Sequence, residues 1–473
     1  MLNKMLGERV FFKKIDINYF YIFAFGIVSC LLLIANPGYY SHDELQKLDD
    51  ILQHGYLSYF QRYTEVKSGP HFGFPVRPFS FFIQGLHAFF INDYPIVVHI
   101  FGVLSHILNG CLFYVLLRCF DVQKQRALLA CLIFIINPMN MLAVGWSAAL
   151  MDRWYVCFGL LSLVGSYFFI YRRNVVGLLL VIVGASGAIL SKETALILPA
   201  LLLIFVFRDG LPVLKKPRFW LVSVAWFIPI LIFLWVRFPA IVNTFSGSAG
   251  PAAYGASVSN VFPNMLVYFS FPLIFNMVDL QEWRSFSPFI QYISAILHLF
   301  VLVLLGLKLG FKYSLYYMVG FFIFLMPVLL IANQGSHYLY GSSLTLSLGV
   351  SFLFKSDGKY EAVSRFVGCF ILCALTVHSF SVQQRIYDIG VCQNKINASA
   401  TALYMSSNKP KTIYFGTANN AKAYESVLRK YIFGRNRIAQ WSEINFIYLN
   451  GQEVPADNST IYEMNSACFL VGK

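Results

Sequence analysis

Four acidic residues fall within eight positions where Ser41-His42-Asp43-Glu44 runs on to Asp49 and Asp50. The chain around them is 58% hydrophobic and only 12% charged, so such a cluster beside an apolar run needs a chemical reason. The reading that fits is a carboxylate working at a membrane surface, on the side away from the cytoplasm, where it can exchange a proton with a reacting group. Asp43 and Glu44 are the candidates, while Asp49 and Asp50 read as solvated. His42 beside Asp43 raises a metal, but no ligand spacing accompanies it. No cofactor is expected, and a divalent metal is the alternative.

Further along come Arg77, the pair Asp152-Arg153, the pair Lys192-Glu193, Arg284 and His337. Ionisable residues near a membrane are costly and tend to pair or to line functional cavities. Carboxylates facing one cavity with Lys, Arg and His would suit a reaction that handles a phosphate and moves a proton. Each residue also has a plainer reading. Asp152 could cap a helix, Lys192 could snorkel to phospholipid headgroups, and His337 could be a satisfied polar group. Glu193 is either a partner for Lys192 or a second carboxylate. His99 and His106 lie within one apolar run and read as helix packing.

What must position these residues is a membrane bundle. A mean hydropathy of +0.63 over 473 residues is outside the range of soluble domains. Apolar runs of about 17–25 residues are what a hydrocarbon core of roughly 30 Å demands of a spanning helix. A β-barrel would instead show alternating segments of about ten residues. The fold class is therefore all-α and polytopic. The net charge of +14 reads as Lys and Arg in cytoplasmic turns, so no nucleic-acid partner is inferred.

Basic clusters recur at Arg118, Lys124 and Arg126, at Arg172-Arg173, at Arg208 with Lys215, Lys216 and Arg218, at Lys308 with Lys312, and at Lys355, Lys359 and Arg365. Keeping every cluster inside requires two crossings between successive ones. Spans near 18–36, 95–117, 127–145, 154–171, 175–190, 195–207, 219–237, 289–307, 314–332, 338–354 and 366–381 satisfy this. They make about eleven transmembrane helices, with an uncleaved first helix and the C-terminus outside. The 195–207 span is short, so a tilted or broken helix pair is expected around Lys192. Residues 78–92 and 261–280 carry polar or proline interruptions and read as interfacial helices on the outer surface. The Gly/Ser/Ala-rich piece Ser246 to Ser259 reads as an outer loop.

Two domains follow: 1–382 in the membrane, and 383–473 as a small outer α/β unit. In the second, Thr412-Ile413-Tyr414-Phe415, Ile444 to Tyr448 and Cys468 to Val471 read as strands, and Ala421 to Tyr431 as an amphipathic helix. Seven of the nine cysteines fall in or beside apolar spans as small buried hydrophobes. Cys392 and Cys468 lie in the tail and could pair in an oxidising compartment.

At this point the chain resembles a known superfamily. Asp43-Glu44 look like the first-loop acidic motif of the GT-C glycosyltransferases. Arg77-Pro78-Phe79, continuing through His99, His106 and Asn109 to Tyr114 and Arg118, is similar to the protein O-mannosyltransferase and tetratricopeptide-containing transmembrane transferase branch. So are Phe134 to Asp152, with Asn137-Pro138 and Val144-Gly145-Trp146, and Leu190-Ser191-Lys192-Glu193-Thr194 followed by Leu198-Pro199. His337-Tyr338-Leu339-Tyr340 resembles a motif that usually begins Glu-Arg-Tyr; Gly335, Ser336 and His337 stand in its place here. The resemblance covers roughly residues 15–380, without the repeats.

The resemblance implies a polyprenyl-phosphate sugar donor and inversion at the anomeric carbon. Asp43 would then be the base for the acceptor hydroxyl, with Glu44 its rival. Lys192, Arg77 and Arg284 would stabilise the departing phosphate, with Asp152, Glu193 and His337 completing the substrate-binding set. A bacterial inner-membrane enzyme facing the periplasm is implied, moving one sugar, such as glucose, to O-antigen, lipopolysaccharide or another surface glycan or lipid acceptor. Protein O-glycosylation, a lipid-linked-sugar flippase and a glycan polymerase are the competing readings. Against a transporter stands the lack of midplane charges and of inverted repeats.

Overall fold

Several helices begin where a side chain accepts the first free backbone amide. Asp16 accepts from the Asn18 N–H at 3.1 Å and opens α1 (Ile17–Ser29). Asn137 does the same for Met139 at 3.1 Å, with Pro138 in the first helical position, and so starts a new helix inside the apolar run expected at 127–145. That run is consequently two helices, α5 (Lys124–Ile135) and α6 (Pro138–Gly145), bent by 55°.

The computed structural model describes residues 16–38, 43–64, 77–91, 94–245, 257–273, 288–332, 334–355, 360–405, 412–417, 428, 445–448 and 460–472. The remaining helices, with those already named, run α2 (Asp43–Thr64), α3 (Pro78–Ile91), α4 (Pro95–Cys119), α7 (Leu150–Arg172), α8 (Val175–Ser191), α9 (Leu203–Asp209), α10 (Pro217–Phe245), α11 (Val261–Ser270), α12 (Pro288–Leu309), α13 (Phe311–Ile323), α14 (Ser342–Leu353) and α15 (Glu361–Met405). Among the described residues, five helices are long and apolar enough to cross a membrane: α4, α7 with the turn before it, α10, α12 and α15. The bent pair α5–α6 would make a sixth. Shorter apolar helices of 10–17 residues include α1, α3, α8 and α14. The chain is thus a mostly helical, multi-pass membrane protein.

The break expected at Lys192 is present. Lys192 is extended, with φ −157° and ψ 135°, and the chain continues as a 3-10 helix, Glu193–Leu202, before α9. The last helix differs most from expectation. Instead of stopping near 381 it runs 45 residues, so at about 1.5 Å per residue it is roughly twice the 30 Å hydrocarbon thickness. The expected boundary at 382/383 falls inside it. Buried Ile386, Ile389, Ile396 and Ala400 carry its packed face onward.

Among the described residues, two large hydrophobic cores form, and a small third one joins α2 to α3 around Ile51, Tyr59 and Ala88. Of the two large cores, one gathers α1, α4–α8 and α10, with Phe134 and Trp226 among its buried members. The other gathers α11–α14, around Phe321 and Leu353. Beyond α15 lies a four-stranded sheet of order β2-β1-β3-β4: β1 (Thr412–Thr417), β2 (Asn445–Tyr448), β3 (Thr460–Met464) and β4 (Leu470–Gly472). β1 pairs in parallel with β2 and β3, Tyr414 facing Ile447 on one side and Ile461 on the other, and β4 is antiparallel to β3. β3 lies where no strand was expected. The helix expected at Ala421 to Tyr431 lies, but for Leu428, outside the described residues, as does most of the Ser246 to Ser259 loop. Cys392 of α15 is disulfide-bonded to Cys468, which ties the sheet to the helix.

Candidate active site

α7 fixes two ends of the bundle. It carries Asp152 in its first turn and Arg172 in its last, roughly 30 Å apart at helical rise. At the Asp152 end, four separate helix termini converge. Lys192, 3% exposed, donates to Asp152 Oδ1, itself 1% exposed, in a short contact. Beside this pair, Arg77 at the start of α3 donates through Nε to Glu193 Oε2 at 2.6 Å and through Nη2 to Oε1. The two-pronged geometry is the one a guanidinium and a carboxylate form best. His337 and Tyr338 close the cluster: the Lys192 ammonium sits 4.5 Å from the Tyr338 ring centre, and His337 meets Trp146 edge to face at 5.3 Å.

Glu193 is therefore the partner of Arg77, and Lys192 that of Asp152. An extended backbone at Lys192 explains the split, because successive side chains of an extended segment point to opposite sides. Asp152 is not a helix cap, since Ala149 holds that position. Its Oδ2 is buried with no hydrogen-bond partner, and so is His337 Nδ1.

Burial alone would raise the Glu193 carboxyl, but the Arg77 charge outweighs it and holds the group down at about 2. Burial pulls the Lys192 ammonium below its ordinary value, partly offset by Asp152. Burial, reinforced by Lys192 and Arg77, drives His337 well below its usual range, so its imidazole is neutral at physiological pH.

Two further arginines belong here. Arg153 is 1% exposed and donates to the carbonyls of Ala143 and of Val144, the latter at 3.0 Å. Arg237 of α10 lies close enough to feel the charges of Glu193 and Arg77. Arg77–Glu193 and Lys192–Asp152 are thus two adjoining ion pairs, with Arg153 and Arg237 near enough to sense their charge. The signal for Arg237 was its place at the far end of the 219–237 span, opposite the basic turn.

α3 lies across this end of the bundle. Ser80 Oγ donates to Ser191 O at 2.8 Å, Gln84 Nε2 to Ala148 O at 3.2 Å, and His87 Nδ1 is 3.0 Å from Ser147 Oγ. α2 in turn packs on α3. Tyr56 and Tyr59 donate to Phe82 O and Phe81 O at 3.0 and 3.3 Å, and a Cβ at Gly85 would meet the Tyr56 ring at 2.6 Å, so only glycine admits this approach. Asp43 and Glu44 open α2, one turn before Lys47, which lines a small cleft with Gln84, His87 and Ser147. Nothing is described of the Asp43 and Glu44 side chains, and His42 and Arg284 lie outside the described residues.

The other motif residues build the frame beneath. His106 Nδ1 lies 2.7 Å from Tyr340 Oη, and Asn109 donates to that oxygen at 3.1 Å and to Arg153 O at 3.0 Å. His99 Nε2 lies 2.7 Å from Gly38 O, at the end of the segment that follows α1. Among the described residues, no three His, Cys, Asp or Glu side chains come together as a metal site.

No family model matches the sequence, and no curated protein matches it. Solved structures that the chain is similar to include the oligosaccharyltransferase of Archaeoglobus fulgidus. Its apo form has a TM-score of 0.45 and 12% identity, covering 93% of this chain and 65% of that one. The archaeal enzyme in complex with an inhibitory peptide and a dolichol-phosphate gives 0.41 and 11%, with the same coverage. Its complex with Zn and sulfate gives 0.43 and 11%, covering 91% of this chain and 62% of that one. The chain spans less than two thirds of the length of these neighbours.

Proposed function

We propose that the chain is an inverting membrane glycosyltransferase that takes a sugar from a polyprenyl-phosphate carrier and gives it to an acceptor hydroxyl. The observation that carries this reading is the pair of adjoining ion pairs at the Asp152 end, Lys192–Asp152 and Arg77–Glu193, drawn from helix termini far apart in sequence and partly sealed from water. Such a site favours a species that gains negative charge as it leaves. The acceptor oxygen attacks the anomeric carbon, its proton passes to Asp43 (Glu44 being the rival), and the sugar–phosphate bond breaks with both electrons on the phosphate. Arg77 is the cation best placed to receive that phosphate. Its side chain is 16% exposed, whereas Lys192 is enclosed and acts from behind, paired with Asp152. Arg284 is the second phosphate ligand in this reading, and neutral His337 offers a hydrogen bond without competing charge.

The site faces away from the cytoplasm, across a bacterial inner membrane crossed eleven times. The Cys392–Cys468 bond supports this sidedness, because disulfides persist in oxidising compartments. The C-terminal part of α15 and the sheet beyond it then form the outer unit, and a surface glycan such as O-antigen is the acceptor, with one sugar, such as glucose, moved per turnover. The test is transfer of label from polyprenyl-phosphate sugars to a panel of glycan, lipid and peptide acceptors by purified protein in vesicles. Label appearing on an acceptor, lost in Asp43→Asn, supports the reading. Label that crosses the bilayer still on its carrier, with no acceptor labelled, would make the protein a flippase instead.

A further inference from the structure

A cavity of about 670 Å³ extends into the bundle from the end opposite the candidate active site. It lies along the seam between the two hydrophobic cores, with α4, α7 and α9 on one wall and α12, α13 and α14 on the other. Its depth is apolar, reaching Val156, one turn from Asp152. Its mouth is basic, formed by Arg126, Arg208 and Lys312. Phe207 and Tyr316 stack across the seam at 4.3 Å. Of the three cations, Arg208 is engaged by Asp121 at 2.9 Å, while Arg126 and Lys312 have no acidic partner among the described residues. A volume within the range of small-molecule sites, an apolar interior and uncompensated cations at the rim suit an apolar chain attached to an anionic head. Basic pockets between membrane helices on the cytoplasmic side bind anionic lipid headgroups in this way.

We propose that this cavity binds an anionic phospholipid of the surrounding bilayer, its chain between the two cores and its phosphate at Arg126 and Lys312. Phospholipid binding here does not depend on the transferase reading. Native mass spectrometry of the full-length protein from detergent, with phosphatidylglycerol or phosphatidylcholine added at equal concentration, tests it. Phosphatidylglycerol should be retained preferentially. Arg126→Gln/Lys312→Gln should lose about tenfold to thirtyfold in that affinity, the factor that two basic side chains near a membrane surface supply, and leave phosphatidylcholine retention unchanged. Equal retention of the two lipids by the wild-type protein overturns the proposal, whether or not the double variant folds. So does displacement of phosphatidylglycerol by polyprenyl phosphate, which would assign the cavity to the donor.

Discussion

The two ends of the bundle handle charge in opposite ways. At the Asp152 end, Lys192 and Asp152 are 3% and 1% exposed and bonded to each other. At the Arg172 end, Arg208 pairs with an Asp121 that is 77% exposed, and Lys216 with Asp209 at 3.1 Å while itself 42% exposed. Charges of the second kind lie in water, hold the chain's orientation and cost little. The first kind must be compensated by its partner, and the protein keeps it despite the desolvation penalty. A membrane protein that needed only topology would have one basic end and an opposite end without buried charge.

The largest effect expected is on turnover. Asp43→Asn keeps the shape of the side chain but removes the acceptor of the proton, so sugar transfer should fall about 10²–10⁴-fold with thermal unfolding unchanged. Near-normal transfer in Asp43→Asn together with loss in Glu44→Gln would move the base to Glu44.

Lys192→Met comes next. It strands Asp152 inside the protein, and removing one member of a buried pair costs about 3–5 kcal/mol. Asp152→Asn/Lys192→Met should recover most of that stability, since neither charge is then left alone. If the pair also serves the reaction, the recovered double variant will still transfer slowly, by the roughly 1.5–3 kcal/mol of a charged hydrogen bond. A double variant restored in both stability and turnover would leave Lys192 a purely structural residue.

How much of this was legible in the sequence differs between fold and site. The spans expected at 154–171 and 289–307 became α7 and α12, Leu150–Arg172 and Pro288–Leu309, because continuous apolar runs between charged turns leave little choice. Hydropathy does not register a bend, so the restart of the helix at Asn137-Pro138 was hidden within one apolar run. It also misjudged α15. The apolar run stops near 381, yet Ile386, Ile389, Ile396 and Ala400 continue at helical spacing in polar company. In the site, the residues to look at could be named, but not their pairing. Lys192 and Glu193 are neighbours in sequence and bind opposite partners, a consequence of one extended residue that no composition reveals. Tyr338 was seen only as part of a motif, and its ring beneath the Lys192 ammonium depends on a segment 146 positions away.

The Arg77–Glu193 pair sits between the two extremes, since the Glu193 side chain is 37% exposed and solvent screens part of the attraction. Its pH signature has a definite sign. Arg77 holds the folded-state carboxyl at about 2, below its ordinary 4.5, so the pair contributes stability above pH 4.5 and loses it as pH falls towards 2. The difference in unfolding temperature between wild type and Glu193→Gln should be level from about pH 5 to 8 and shrink below about 4.5. A difference that instead changes between pH 6 and 8 would point to a group other than Glu193.

The smallest effect belongs to the basic end. Arg208→Gln removes an exposed pair worth about 0–1 kcal/mol. It also removes contacts with the rings of Phe120, Tyr167 and Tyr171, whose centres lie 4.9–5.4 Å from the guanidinium carbon. An exposed cation over an aromatic face adds about 0.5–1 kcal/mol. In lipid-free detergent the loss should therefore be on the order of 1–2 kcal/mol, and it should diminish as salt screens the Asp121 contribution. Lys192→Met should show no such relief, because counterions do not reach a side chain 3% exposed. The contrast rests on salt dependence as much as on size. If Arg208→Gln proved as costly as Lys192→Met and equally indifferent to salt, the two ends would not differ in kind. The case for reading the Asp152 end as a site would then rest on its composition alone.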